Sequence, residues 1–483
     1  MRKQVFVLLV EREIRSTIRS PRFAATFGVC SLLLVMSVFV GIQEFKRSVS
    51  QYESSLTLTE TELRAQVYWT RLGFANRALR NVEPTQILVS GASNDIGRQS
   101  EINMWTSVRL KNSHYSDDPL FAVFRFFDFT FIVQVVLSLF AILYTYDRIN
   151  GERESGTLRM VLSNSIPRVQ IVIAKLAGAW LGLTIPLVVP ILLGVLLILL
   201  FGVPAQGDDW WKIASVIGVS ILYFTFFIAL GICVSAITKR SATSFLLLLA
   251  AWLIMIAIIP GLSTMVASQM VKVSSISEIE SKKERYAVDR WARYSRDRRQ
   301  IFEQRRNART GLSAEEAREF WEEHQAELVQ EEEELRWVAA ADVHQFSQQL
   351  EQDLSNQKAA LDDLAFKLSR FSPTSAYQLA VMNIAGTNVT MKRRYERSMH
   401  EYRMAVDSFV NTKRLEQRNQ PREKWAQYGE EPLDLSQMPR YQPPRQTFSD
   451  VLVLSIVDVG LLALYTLLAV SAGFVAFLRY DVR

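Results

Sequence analysis

A chain of 483 residues carrying a net charge of only +6 is long enough for several domains and too weakly basic to suggest a nucleic-acid partner. Its two cysteines, Cys30 and Cys233, both lie in apolar runs, which excludes a disulfide-stapled fold, and its four histidines are scattered without metal-ligand spacing. The 49% of hydrophobic residues segregate from the charged ones into separate runs, which predicts a mainly α membrane protein with sizeable water-exposed parts.

In residues 1–22, Val7, Val10, Ile14 and Ile18 share one helical face and Arg12, Arg15 and Arg19 another. That pattern predicts a helix lying in a membrane interface and ended by Ser20-Pro21, with an ordinary basic tail as the alternative. Residues 23–42 read as the first span, an uncleaved anchor. Residues 43–120 are polar and mixed, with a helical start from Glu44 and a turn at Ser90-Gly91-Ala92-Ser93-Asn94-Asp95. Further spans are expected at 123–146, 171–201, 212–236, 243–270 and 449–478, with kinks where Pro186, Pro190 and Pro260 interrupt the third and fifth.

Two acids fall inside these runs, Asp128 in the second and Asp458 in the sixth. An intramembrane carboxylate is a functional candidate by default, and structural pairing with a polar neighbour is the other reading. Both enter their spans at similar depth from the same side, which places them to line one vestibule.

The connection 147–170 is too polar for a bilayer. Glu152 and Glu154 suit the positive end of a short helix, Arg168 and Lys175 the negative end, and Leu158, Val161 and Leu162 form an apolar ridge available to a partner. A solvated loop is the plain alternative. The run E-x-E-x-G-T-L-x-x-x-L-S over 152–163, followed by Pro167-Arg168, resembles the coupling segment of ABC type 2 exporter permeases. This chain departs from the commoner S-x-P-x-x-R by reading Ser163-Asn164-Ser165-Ile166-Pro167-Arg168. The resemblance implies a six-helix transmembrane bundle with an N-terminal elbow helix. It also implies docking of Glu152, Glu154, Gly156, Thr157, Leu158, Leu162, Pro167 and Arg168 on a cytoplasmic ABC ATPase subunit. ATP and magnesium would then belong to that partner.

Lysine and arginine set the expected orientation. They fill 1–22, the 147–170 connection, Lys239-Arg240 and the final residues, while Val203 to Trp211 carries only Asp208 and Asp209 before its end. Both termini and the coupling segment are therefore expected on the cytoplasmic side of a bacterial inner membrane, and 43–120 and 271–448 outside it. The second of these reads as an extracytoplasmic helical domain. A charged helix runs from Ile276 to Arg309, a break follows at Thr310-Gly311-Leu312, and a capping box opens at Ser313. With a seam from Val343 to Leu368, interrupted by Gln357, a helix from 313 to 368 would be about 80 Å long, which predicts a long hairpin with Trp291, Trp321 and Trp337 as surface to bury. The stretch from Phe371 to Asn388 and the basic helix after it resemble a large-loop branch of the same permeases. A proline-rich strap, 421–446, returns to the last span.

No nucleotide-binding loop G-x-x-x-x-G-K-[ST] and no hydrolase or metalloprotease motif occurs. The expected function is the non-catalytic permease subunit of an ABC exporter, a homodimer or paired with a sister permease. An ATPase-driven hairpin acting as a lever on an envelope partner, and a motorless scaffold or sensor, are the rivals.

Overall fold

The computed structural model describes residues 2–103, 108–112, 128–163, 167–308, 313–418 and 432–479. They form two compact units, one of residues up to Gly261 and from Ser369 onward, the other Leu262–Leu368. The break expected at 310–312, Asn164 to Ile166 and the first part of the proline-rich strap lie outside the described residues. The stretch 271–448, read from sequence as one helical domain, is thereby divided. From Ser369 the chain turns apolar: Tyr377, Ala380 and Val381 of the helix Pro373–Ile384 are fully buried, and that helix packs on the fourth and sixth spans.

Among the described residues, six helices are long and apolar enough to cross a membrane: Phe23–Arg64, Phe129–Glu154, Arg168–Leu200, Gly207–Ile237, Ser241–Met270 and Phe448–Leu478. The protein is an integral membrane helical bundle. The fourth is its centre, packing on the second, the sixth and Pro373–Ile384. Ser20 caps the first, its hydroxyl accepting from the Phe23 N–H at 3.1 Å, with Pro21 in the first turn where its missing N–H costs nothing. That helix then continues to Arg64, 44 residues and about 66 Å in all, because nothing between Ile42 and Glu44 breaks it. The expected span and the expected helix after it are one element.

Two spans contain a wide π turn, at Ile132–Leu137 in the second and Ile254–Ile258 in the fifth. The latter answers the expected kink, since Pro260 has no N–H to return to Ile256. Side chains satisfy the carbonyls there: Tyr223 and Ser138 donate to Gln134 O at 3.1 and 2.6 Å, and Ser372 to Met255 O at 2.5 Å. Trp252 Nε1 donates to Ser138 at 2.8 Å and joins the two spans.

Beyond the spans, strands Arg77–Leu79 and Gln99–Glu101 pair antiparallel, Ala78 opposite Ser100. The turn expected at Ser90 is present, with Gly91 at φ +49° and the Ala92 N–H donating to Thr387 O at 2.9 Å. The helix Thr390–Arg418 closes this layer with Met391, Tyr395 and Met399.

The second unit is built on an antiparallel helix pair, Ile276–Ala308 with Ala314–Ser369. Its register is written in cross-pairs: Lys283 with Glu351 at 2.7 Å, Arg290 with Asp342 at 2.7 Å and Arg298 with Glu332 at 2.9 Å. Tyr286 stacks on Phe346 at 4.0 Å, and Gln357, the interruption in the seam, accepts from the Ser274 N–H at 2.9 Å. Trp291 and Trp337 do not make this seam. Trp291 is 38% and Trp337 50% exposed, while Ile279, Ala339 and Leu354 are buried, and the side chain of Trp321 is outside the described set.

Candidate functional site

The coupling connection folds as two short helices, Asn150–Glu154 and Thr157–Ser163. Gly156 joins them at φ +74°, a left-handed conformation that disfavours any residue with a Cβ. Space there is open, so the conformation rather than a close approach explains the glycine. Thr157 stays inside the turn, its hydroxyl donating to Glu152 O at 3.3 Å.

The apolar ridge points inward. Leu158 is 1% exposed, and Val161 and Leu162 are half-buried against the same core. The two glutamates also have partners within the chain. Glu154 accepts from the N–H and hydroxyl of Ser241 at 2.8 and 2.9 Å, capping the fifth span from outside its own helix. Glu152 Oε2 lies 2.8 Å from Lys175 Nζ, an ion-pair contact without hydrogen-bond alignment. The ridge packs on the chain's own spans, and both glutamates bind inside the chain, Glu154 while still exposed. Asn150 completes the clamp: fully buried, it donates to Thr238 at 2.9 Å in the turn between the fourth and fifth spans.

Lys175 is the hub of this end of the bundle. Its side chain is 5% exposed, with Glu13 of the N-terminal helix Arg2–Ile18 at 3.1 Å and the Arg148 carbonyl at 3.1 Å. Arg148 in turn holds Glu13 at 3.2 Å, and Arg12 approaches Glu152 at 3.7 Å from the exposed side. Two carboxylates thus meet two cations, Glu13 and Lys175 buried and Glu152 and Arg148 half-buried, and each offsets the desolvation cost of its neighbours. The N-terminal helix lies on the third span through this cluster. At Gly178 a Cβ would come within 2.5 Å of Glu13 Cβ, so only glycine admits the contact. The buried residues of the N-terminal helix include Glu13 and Thr17, whereas Val7 and Ile18 of the apolar face expected in the membrane interface are exposed.

Exposed on this connection are Glu154, Ser155, Arg159, Met160 and Ser163, with Met160 72% exposed. Pro167 is exposed at the start of the third span, and Arg168 Nη1 donates to Leu478 O at 3.2 Å, tying it to the end of the sixth.

At the opposite end of the second span, Asp128 stands outside the helix rather than within it. Its Oδ1 caps the Phe131 N–H at 2.8 Å, and its Oδ2 accepts from the N–H and hydroxyl of Ser90 at 3.3 and 3.0 Å. It opens on a cavity of about 270 Å³ shared by Ser90, Gln134, Ile256, Gln378 and Met382. Asp458 is elsewhere. It is fully buried, with Arg370 Nε at 2.6 Å and Asn383 Nδ2 at 3.2 Å, so it takes the structural pairing and shares no vestibule with Asp128.

Sequence reasoning missed Glu13, Lys175 as a hub, Arg370 and Lys212. Lys212, 3% exposed at the start of the fourth span, donates to Gln446 O at 3.0 Å and faces Glu83 at 4.0 Å. Burial holds the Glu83 carboxyl above its ordinary range, against the pull of Lys212.

Compared with known proteins, the chain has no match among curated sequences. A family model described as ABC-2 family transporter protein matches residues 7–482, which takes in the N-terminal helix, the coupling segment and all six spans. The chain therefore belongs to the ABC-2 family transporter proteins, as a membrane-spanning permease subunit of an ABC transporter.

Proposed function

We propose that this chain is the membrane half of an ATP-driven exporter whose motor is a separate ABC ATPase docked on Ser155, Arg159, Met160 and Ser163. The observation that carries the docking face is Met160, 72% exposed on a helix whose other side is buried. A large apolar side chain held outward at a basic edge suits a groove on a partner. Glu13, Lys175 and Glu152 then act as the linkage. Because Lys175 grips both the N-terminal helix and the coupling segment, a push on the segment moves that helix and the third span together. The basic residues of this end orient it to the cytoplasm. In the fifth span only 6% of the apolar window is buried, against 67% in the fourth, which supports a second copy or a sister permease as its cover.

The test is co-purification in mild detergent. Met160→Arg and Arg159→Glu, both at exposed positions, are expected to reduce ATPase recovery at least tenfold while the permease stays monodisperse. Unchanged recovery of the ATPase with both variants overturns the docking face.

A further inference from the structure

We infer that the cavity at the Asp128 end of the second span binds an ammonium group carried on an apolar body. That such a molecule is the cargo rests on the exporter reading; the binding does not.

The cavity, about 270 Å³, is just below the roughly 300–1,000 Å³ of ordinary small-ligand sites. Its polar wall is Asp128, Ser90, Gln134 and Gln378, and its apolar wall includes Phe131 and Met382. The three hydrogen bonds on Asp128 come from neutral donors, two from Ser90 and one from the Phe131 N–H. Among the described residues no lysine, arginine or histidine pairs with half-buried Asp128, whereas the buried carboxylates Glu13 and Asp458 each hold a cation. Among the described residues the cavity wall carries one carboxylate and no cation to balance it. Gln134 and Gln378 supply what an ammonium also needs, since their side chains make no hydrogen bond to the described residues and their amide oxygens can accept from N–H or polarised C–H. Phe131 adds an aromatic wall. An anion would meet the Asp128 charge. A bare divalent cation would find a half-apolar wall instead of six oxygen ligands.

A second observation comes from the backbone. Gln134 and Ile256, on opposite spans, both line the cavity and both sit in wide π turns. Such turns collect at functional sites because the extra residue re-aims side chains.

The ammonium can belong to a free lipophilic amine or to a lipid headgroup. The test uses the full chain in neutral maltoside micelles, without any ATPase, with benzyltrimethylammonium as the probe in equilibrium dialysis. Saturable binding of one probe per chain is expected, with none for phenylmethanesulfonate. Asp128→Asn keeps the helix cap and removes only the charge, and should weaken binding at least tenfold. Gln378→Lys, at an exposed position, places a tethered ammonium in the cavity and should abolish binding, which keeps the inference testable should Asp128→Asn not fold. Displacement by dihexanoyl phosphatidylethanolamine but not by the phosphatidylglycerol identifies a lipid headgroup as the natural source; failure of both to displace points to a free amine. Absence of saturable binding, equal binding of the sulfonate, or wild-type affinity in both folded variants overturns the inference. A failed ATPase co-purification would leave this result standing, and a failed dialysis would leave the docking face standing.

Discussion

Replacing Lys175 by methionine removes a buried cation that pairs with both Glu13 of the N-terminal helix and Glu152 of the coupling segment. In the folded protein Glu13 would keep Arg148 at 3.2 Å, but Glu152 would keep only Arg12, 3.7 Å away and 56% exposed. Breaking a buried pair by removing one partner costs about 3–5 kcal/mol, because a desolvated charge is left uncompensated. The loss should be local, since the bundle core around Tyr223 and Phe227 is untouched. At about 1.4 kcal/mol per tenfold, amide protection in Arg2–Ile18 and in Asn150–Ser163 should fall between about 100-fold and a few thousand-fold. Hydrogen exchange read by mass spectrometry resolves both segments, with Gly207–Ile237 as the internal reference. A second variant, Glu13→Gln with Lys175→Met, should lose less than the two single losses added, because each single change strands the other charge. Protection within threefold of wild type in both segments, with additive singles and double, would refute the idea that Lys175 holds this end together.

Gly156→Val should cost about 1–2 kcal/mol from the left-handed backbone alone, since no atom lies close enough to clash, and Gly156→Asn should cost less; the comparison is read as ATPase recovery against permease yield. Arg370→Met strands fully buried Asp458 and should lower the yield of monodisperse protein, whereas Arg370→Met with Asp458→Leu should recover most of it. A single variant that behaves like the double would show that the pair carries no stability.

The six spans were legible because an apolar run of about 20 residues has few other uses. The single short helix expected over the coupling connection is two, because Gly156 takes a left-handed turn between them. The direction of the coupling ridge was not legible either. Leu158, Val161 and Leu162 give the same helical period whether they face a partner or the chain's own spans, and only tertiary packing decides. Glu13 carried a usable signal. It falls between Val10 and Ile14 on the stripe, and a carboxylate in an apolar stripe calls for a buried cation. The identity of that cation, Lys175, lies 162 positions away, and Arg370 lies 88 positions from Asp458, distances that no local pattern encodes. Trp291 and Trp337 misled because bulk and apolarity were taken to mean burial, while the hairpin seam is filled by Tyr286 against Phe346 and by opposite charges.

The unbroken first helix has a geometric consequence. A stiff rod of about 66 Å converts rotation at one end into travel at the other, roughly 1 Å for each degree of tilt. Its lower half rests on the third span, and Thr26 near its start meets Tyr144 of the second at 2.8 Å. Its upper end is bolted to the strand layer by Glu62 to Arg77 at 3.0 Å and by Arg98 to Glu44 at 3.6 Å. Leu63 packs there with Leu72, Val406 and Val410. A tilt of a few degrees near Ser20 would therefore carry the strand layer sideways by several ångströms without any bond in the rod being broken.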